Sequence, residues 1–184
     1  TFSFREEGSW DIAMREMAVE GYQDTYVLIQ FGHNDQPGKL QRSTDLETEF
    51  SPNLLRYIAE VRAAGATPVL ITPLTRRSFT DGVLEHSLDA WADSIREIGQ
   101  DTETPVIDLY ALSAAQVKAM GPVDSILLSE NTPSQNVIEG AATGTSVPSQ
   151  EAEIPADQVM SFEPPFENLA VDRWRFDYTH IGRT

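Results

Sequence analysis

Cysteine is absent from all 184 residues, which excludes disulfides, thiolate zinc sites and a cysteine nucleophile while leaving the redox compartment open. No apolar run approaches the roughly 20 residues that carry a helix across a bilayer, so no membrane partner is expected. Positive charge is scarce: 13 Lys and Arg stand against 29 Asp and Glu, a formal net charge of -16. A field of that sign repels phosphate backbones and anionic lipid surfaces, and no nucleic-acid partner is expected either. The shortage of cations is most complete from Ala119 to Asp172, where nine Asp and Glu occur without one Lys or Arg. Internal repeats and Asn-x-Ser/Thr sequons are also missing. The chain opens at Thr1 with neither methionine nor a charged-then-apolar leader, so a signal peptide is expected either to have been removed or to lie upstream.

What is present is apolar material, 40% of the chain, enough for one domain over residues 1–184 that buries roughly 70% of its unfolded surface. Its periodicity alternates. "GSWDIAMREMAVEG" spaces Trp10, Ile12, Ala13 and Met17 as a helix does, with Ser9 as a cap and Gly21 as a stop. "TYVLIQF", Thr25 to Phe31, is a continuous β-branched and aromatic run that predicts a strand covered on both faces. A helix is expected from Leu46 to Ala64, with Pro52 marking either its start or a break and Gly65 ending it. "TPVLIT", Thr67 to Thr72, predicts a second buried strand, "HSLDAWADSIREIGQ" a helix, "PVIDLY" a third strand and "ALSAAQVKAM" a further helix. Strand and helix in alternation predict an α/β fold with a parallel sheet and helices on both faces, whose ligands bind beyond the carboxyl ends of the strands.

Two polar clusters fall where that crevice is expected. "GHND", Gly32 to Asp35, follows the first strand; it reads either as a binding loop or as a polar turn, since Gly, Asn and Asp are common turn formers. "DYTH" places Asp177 three residues before His180, a spacing that sets both on one face of a turn, where the carboxylate can orient the imidazole as a general base. His33 and Asp35 are expected to brace their loop by hydrogen bonds. Arg76 and Arg77 read as solvated surface arginines, the alternative being contact with an acidic sugar.

Taken together, "TFSFREEGSW", "VLIQFGHND", "ITPLTRRSF" with "PVIDLYALS", and "DYTH" resemble successive blocks of the SGNH or GDSL hydrolases, particularly the rhamnogalacturonan acetylesterase-like carbohydrate esterases. The resemblance spans about Thr1 to Met120 and then Asp177 to Gly182. It implies a flavodoxin-like three-layer αβα sandwich and an acetylated carbohydrate as substrate. The family's Gly-x-Asn-Asp block is matched by Gly32, His33, Asn34 and Asp35, which gives Asn34 the role of oxyanion-hole donor, with Gly32 keeping the turn compact. Its Asp-x-x-His block gives Asp177 and His180 the roles of acid and base. Neither cofactor nor metal is called for, and extracellular or periplasmic localisation is implied.

The departures are equally specific. The family's Gly-Asp-Ser block, which carries the nucleophile on the first strand, is missing, as is the following block whose glycine amide completes the oxyanion hole. No Gly-x-Ser-x-Gly context occurs, and Ser146 in "ATGTSVP" is the nearest imitation but a poor nucleophile. The domain is therefore expected to be incomplete at both ends, and these 184 residues alone are expected not to hydrolyse acetyl esters. Residues 121–170 read as an acidic, loop-rich insertion, either solvated or a lid over the crevice. An esterase that removes acetyl groups from polysaccharide through a serine ester is the preferred reading, and a non-hydrolytic carbohydrate-binding relative the alternative. A nucleotide-binding module is disfavoured because no Gly-rich phosphate loop follows any strand.

Overall fold

The computed structural model describes residues 1–39, 42–147, 176, 178, 179 and 181. In chain order the elements are α1 (Phe2–Glu6), α2 (Ser9–Met17), β1 (Tyr26–Gln30), α3 (Ser51–Ala63), β2 (Thr67–Ile71), β3 (Phe79–Thr80), β4 (Val83–Leu84), α4 (Asp89–Asp101), β5 (Val106–Ile107), α5 (Leu109–Ser125) and α6 (Gln135–Thr143). They group into two compact units, the first made of Thr1–Leu74 and Ser87–Leu112, the second of Thr75–His86 and Ser113–Thr184.

In the first unit β1, β2 and β5 form a parallel sheet in that order, so the fold is mixed α/β, as the alternation predicts. Register pairs Ile29 with Leu70 and Leu70 with Val106, which puts these three on one face. There they join a core with Trp10 and Met17 of α2, Leu54, Tyr57, Ile58 and Val61 of α3, and Ile95 and Ile98 of α4. The apolar run in β1 predicts cover on both faces; the structure instead leaves Tyr26 62% and Leu28 61% exposed on the other one, while Val27 and Ile29 turn inward.

Local chemistry sets the boundaries. Asp45 accepts from the Glu47 and Thr48 amides at 3.2 and 2.8 Å, capping one π-helical turn over Leu46–Phe50. The regular helix begins only at Ser51, so Pro52 sits in the first turn, where its missing N–H costs nothing. Gly65, at φ 78°, follows the end of α3. Gly8, rather than Ser9, precedes α2, which stops at Met17, short of Gly21. β5 is only two residues long, and α5 begins at Leu109; between them Asp108 accepts from Thr72 Oγ1 and takes both Nε and Nη2 of Arg96. The Arg96 hydrogen bonds hold the Asp108 carboxyl below its ordinary value against burial.

The second unit contains a tight hairpin. Asp81 and Gly82, both at positive φ, join β3 to β4, the conformation that an Asp-Gly pair favours in a two-residue turn. Phe79 and Leu84 of the hairpin pack on Val117 of α5. That helix is interrupted at Gly121 (φ 75°, ψ 180°), just before Pro122. Within 121–170, expected to be loop-rich, the described residues include α6, whose Val137 and Ala141 pack with Ile126 and Phe176. Residues 148–170 lie outside the described residues.

Candidate active site

β1 delivers the chain to the "GHND" loop, which turns sharply. Gly32 has φ 131°, and a Cβ added there would stand 3.2 Å from Pro73 Cγ and 3.5 Å from Trp91 Cβ, so both conformation and space call for glycine. The turn closes through Asp35 N–H to the Gly32 carbonyl at 3.2 Å and Gly32 N–H to Asp35 Oδ2 at 3.1 Å. Asp35 is 1% exposed. Its Oδ1 also accepts from the Thr1 main-chain nitrogen (2.6 Å), Thr1 Oγ1 (2.7 Å) and Thr44 Oγ1 (3.0 Å). His33 Nε2 donates to the Leu74 carbonyl at 2.8 Å. Both residues brace the loop, as expected of them.

Asn34 differs from its neighbours. It is exposed and its carboxamide makes no hydrogen bond to a described residue; together with Gly32, His33 and Asp35 it lines a cavity of about 300 Å³. Ser3, Phe4, Phe31 and Arg42 contribute to the same wall. Ser3, Phe4 and Arg42 carry no signal in the sequence that separates them from ordinary surface residues. The aromatic side of the wall is built from inside: Phe4 meets the Phe31 ring edge-on at 5.7 Å, and Phe31 stacks on Tyr57 at 5.2 Å.

Tyr57 is also electrostatically supported. Its hydroxyl donates to the Thr1 carbonyl at 2.8 Å, and burial pushes its pKa up to about 12, although the Arg5 charge pulls the other way. The phenol is thus a neutral donor at working pH. The Arg5 guanidinium lies 4.1 Å from the centre of its ring and reaches Glu60 at 2.9 Å. Burial raises the Glu60 carboxyl, but hydrogen bonds from Trp10, Arg5 and Arg56 outweigh it and hold the group below its ordinary value.

Gly32 and Asn34 therefore share one loop of the first unit, whereas Asp177 and His180 lie outside the described residues. The residues between those two are anchored in the second unit. Arg77 N–H donates to the Tyr178 carbonyl at 2.9 Å, Arg77 Nη1 to the Thr179 carbonyl at 3.5 Å, and Arg76 Nε to Thr179 Oγ1 at 3.2 Å. Arg77 is 1% exposed, which corrects its reading as a solvated surface arginine: it lies inside the second unit, against a segment far along the chain. Ser146 accepts from Phe79 N–H at 2.9 Å through its hydroxyl, so this serine braces β3. Among the described residues no group of three or more His, Asp or Glu could hold a metal ion, and no helix is long and apolar enough to cross a membrane.

Known proteins resemble this chain over part of its length. The chain is 36% identical over 126 residues to the rhamnogalacturonan acetylesterase RhgT of Bacillus subtilis (strain 168), an overlap of 68% of this chain and 51% of the relative. It is 32% identical over 93 residues to the probable rhamnogalacturonan acetylesterase YesY of the same organism, covering 50% of this chain and 43% of that one. It thus spans about half the length of these relatives. The crystal structure of the Bacillus subtilis protein YxiM superposes with a TM-score of 0.48 at 26% identity, covering 72% of this chain and 38% of that one. The model of the GDSL-like lipase/acylhydrolase family matches residues 3–125, two thirds of the sequence and the whole of the parallel sheet, and the chain belongs to that family.

Proposed function

We propose that the protein is a carbohydrate esterase that removes acetyl groups from a polysaccharide, rhamnogalacturonan or a related glycan, through a serine ester intermediate. The observation that carries this reading is the Asn34 carboxamide, exposed and free of any described partner on the wall of a cavity beyond β1, in a chain similar to proteins named as rhamnogalacturonan acetylesterases. A serine oxygen attacks the acetyl carbonyl and passes its proton to His180, which Asp177 orients. The carbonyl oxygen gathers negative charge, and the Asn34 amide donates to it; a preorganised donor of this kind is worth roughly 3 to 4 kcal/mol in the transition state. The bond to the sugar oxygen then breaks, that oxygen takes the proton from His180, and water releases acetate from the acyl serine by the reverse sequence. Gly32 lets the loop turn tightly enough to present Asn34. No Gly-Asp-Ser stands in these 184 residues, so the nucleophile is assigned to the family's first-strand block. A polymeric glycan substrate places the work outside the cytoplasm, in an extracellular or periplasmic setting.

The test is acetate release from acetylated rhamnogalacturonan by the whole protein and by its Asn34→Ala variant. The variant is expected to lose about 100-fold or more in turnover with its melting temperature intact, because the missing donor acts on the transition state. Native rates in Asn34→Ala reduce "GHND" to a turn and end this reading.

A further inference from the structure

We propose that Asp35 is a positioning residue for the Asn34 amide, an inference that rests on the esterase reading and extends it to a residue that touches no reacting atom. The two residues are adjacent and opposite in character. Asn34 is exposed and its side chain has no partner among the described residues, so among these only its own backbone fixes where the amide points. Asp35 is buried and fixes that backbone from three directions. Gly32 N–H holds Oδ2 from the start of the loop. Thr44 closes the far end twice, through its hydroxyl to Oδ1 at 3.0 Å and its N–H to the Asp35 carbonyl at 3.0 Å. Thr1 supplies two further donors to Oδ1 and is itself tied to α3, by Tyr57 Oη to its carbonyl at 2.8 Å and Asn53 Nδ2 to its hydroxyl at 3.4 Å. The loop is thereby referred to the helix that covers the sheet.

Chemistry explains why this position holds a carboxylate. Each of its oxygens meets a main-chain nitrogen that can only donate, Thr1 on Oδ1 and Gly32 on Oδ2, a pattern that a carboxamide cannot satisfy, since one of its two ends is an N–H group. A bare carboxylate beside a developing oxyanion would oppose the reaction; one that accepts from four donors has its charge offset within the loop. An oxyanion donor is effective only when held within about 0.5 Å of its productive place, and the Asp35 network supplies that constraint to a side chain that finds no partner among the described residues.

A double-mutant cycle in the whole protein separates positioning from general support of the fold. Asp35→Asn and the milder Thr44→Val are each made in the native and the Asn34→Ala background, with kcat, KM and melting temperature measured on an acetylated glycan. In the native background Asp35→Asn is expected to lower kcat about 10-fold or more and Thr44→Val about 3-fold, with KM nearly constant; in the Asn34→Ala background each loss is expected to shrink to less than about 2-fold. Thr44→Val carries the cycle should Asp35→Asn not fold. Equal losses in both backgrounds overturn the inference and leave the esterase reading standing. An Asn34→Ala protein with native kcat overturns both.

Discussion

Leu28 and Ile29 are consecutive in β1 and alike in hydrophobicity, yet Leu28 is 61% exposed and Ile29 4%. Through the register, Ile29 shares its face with Leu70 and Val106, beneath α2, α3 and α4, while Leu28 shares the opposite face with Tyr26, Gln30 and Ile107, all exposed. A strand's apolar run therefore reports that it belongs in a sheet, but not which face is covered. Cover comes from helices elsewhere in the chain. The stabilising burial, and with it the support for the "GHND" loop at the end of β1, lies on the inner face.

The sharpest way to break this contrast is Leu70→Ala. The side chain is fully buried in the middle strand, and its truncation is expected to cost about 2 to 5 kcal/mol, read as a lower denaturant midpoint. Acid is expected to act next. The Glu60 carboxyl, on a helix of the inner face, and that of Asp108 are both held below their ordinary values. The unfolded chain therefore binds protons more readily than the folded one. The stability these groups contribute is fully present above the unfolded carboxylate pKa of about 4 and is lost as pH falls through the lower folded values. A pH series of melting temperatures should fall in that window, and Glu60→Gln should flatten part of the fall. Least affected should be Leu28→Thr, with a stability change within about 0.5 kcal/mol. A loss comparable to that of Leu70→Ala would mean that the outer face of β1 is packed after all.

Much of the fold was legible because it rests on local pattern. The runs around Ile29 and Leu70 announced β1 and β2, Gly65 marked the end of α3, and Pro52, legible as either a start or a break, falls in the first turn of its regular part. The "GHND" loop could be placed for the same reason: a strand period ends and glycine follows. The β3–β4 hairpin was also written in the chain, in the Asp81-Gly82 pair, but two-residue strands leave too little alternation to notice. Arg77 and α6 were less readable. The burial of Arg77 depends on Tyr178 and Thr179, a hundred residues further on. α6 lies in a Ser-, Thr- and Gly-rich stretch whose composition suggests solvent, and its buried side rests on a few small residues such as Ala141 and Gly140. Asn34 had its position in the sequence; that its amide is exposed and without a partner among the described residues needed the three-dimensional structure.

The grip of Arg77 on Thr179 also has a meaning in time. That contact closes 102 residues of chain, whereas β1 and β2 meet across about 40, and each doubling of a closed loop costs about 0.6 kcal/mol more. Long-range pairings of this kind form slowly and late. During synthesis every residue of the first unit has been made by Leu112, so the loop bearing Asn34 can settle while the partners of Arg77 do not yet exist. The residues proposed to move the proton thus arrive about 65 residues or more after the first unit is complete, and a nascent chain can possess the oxyanion donor well before it can carry out the reaction.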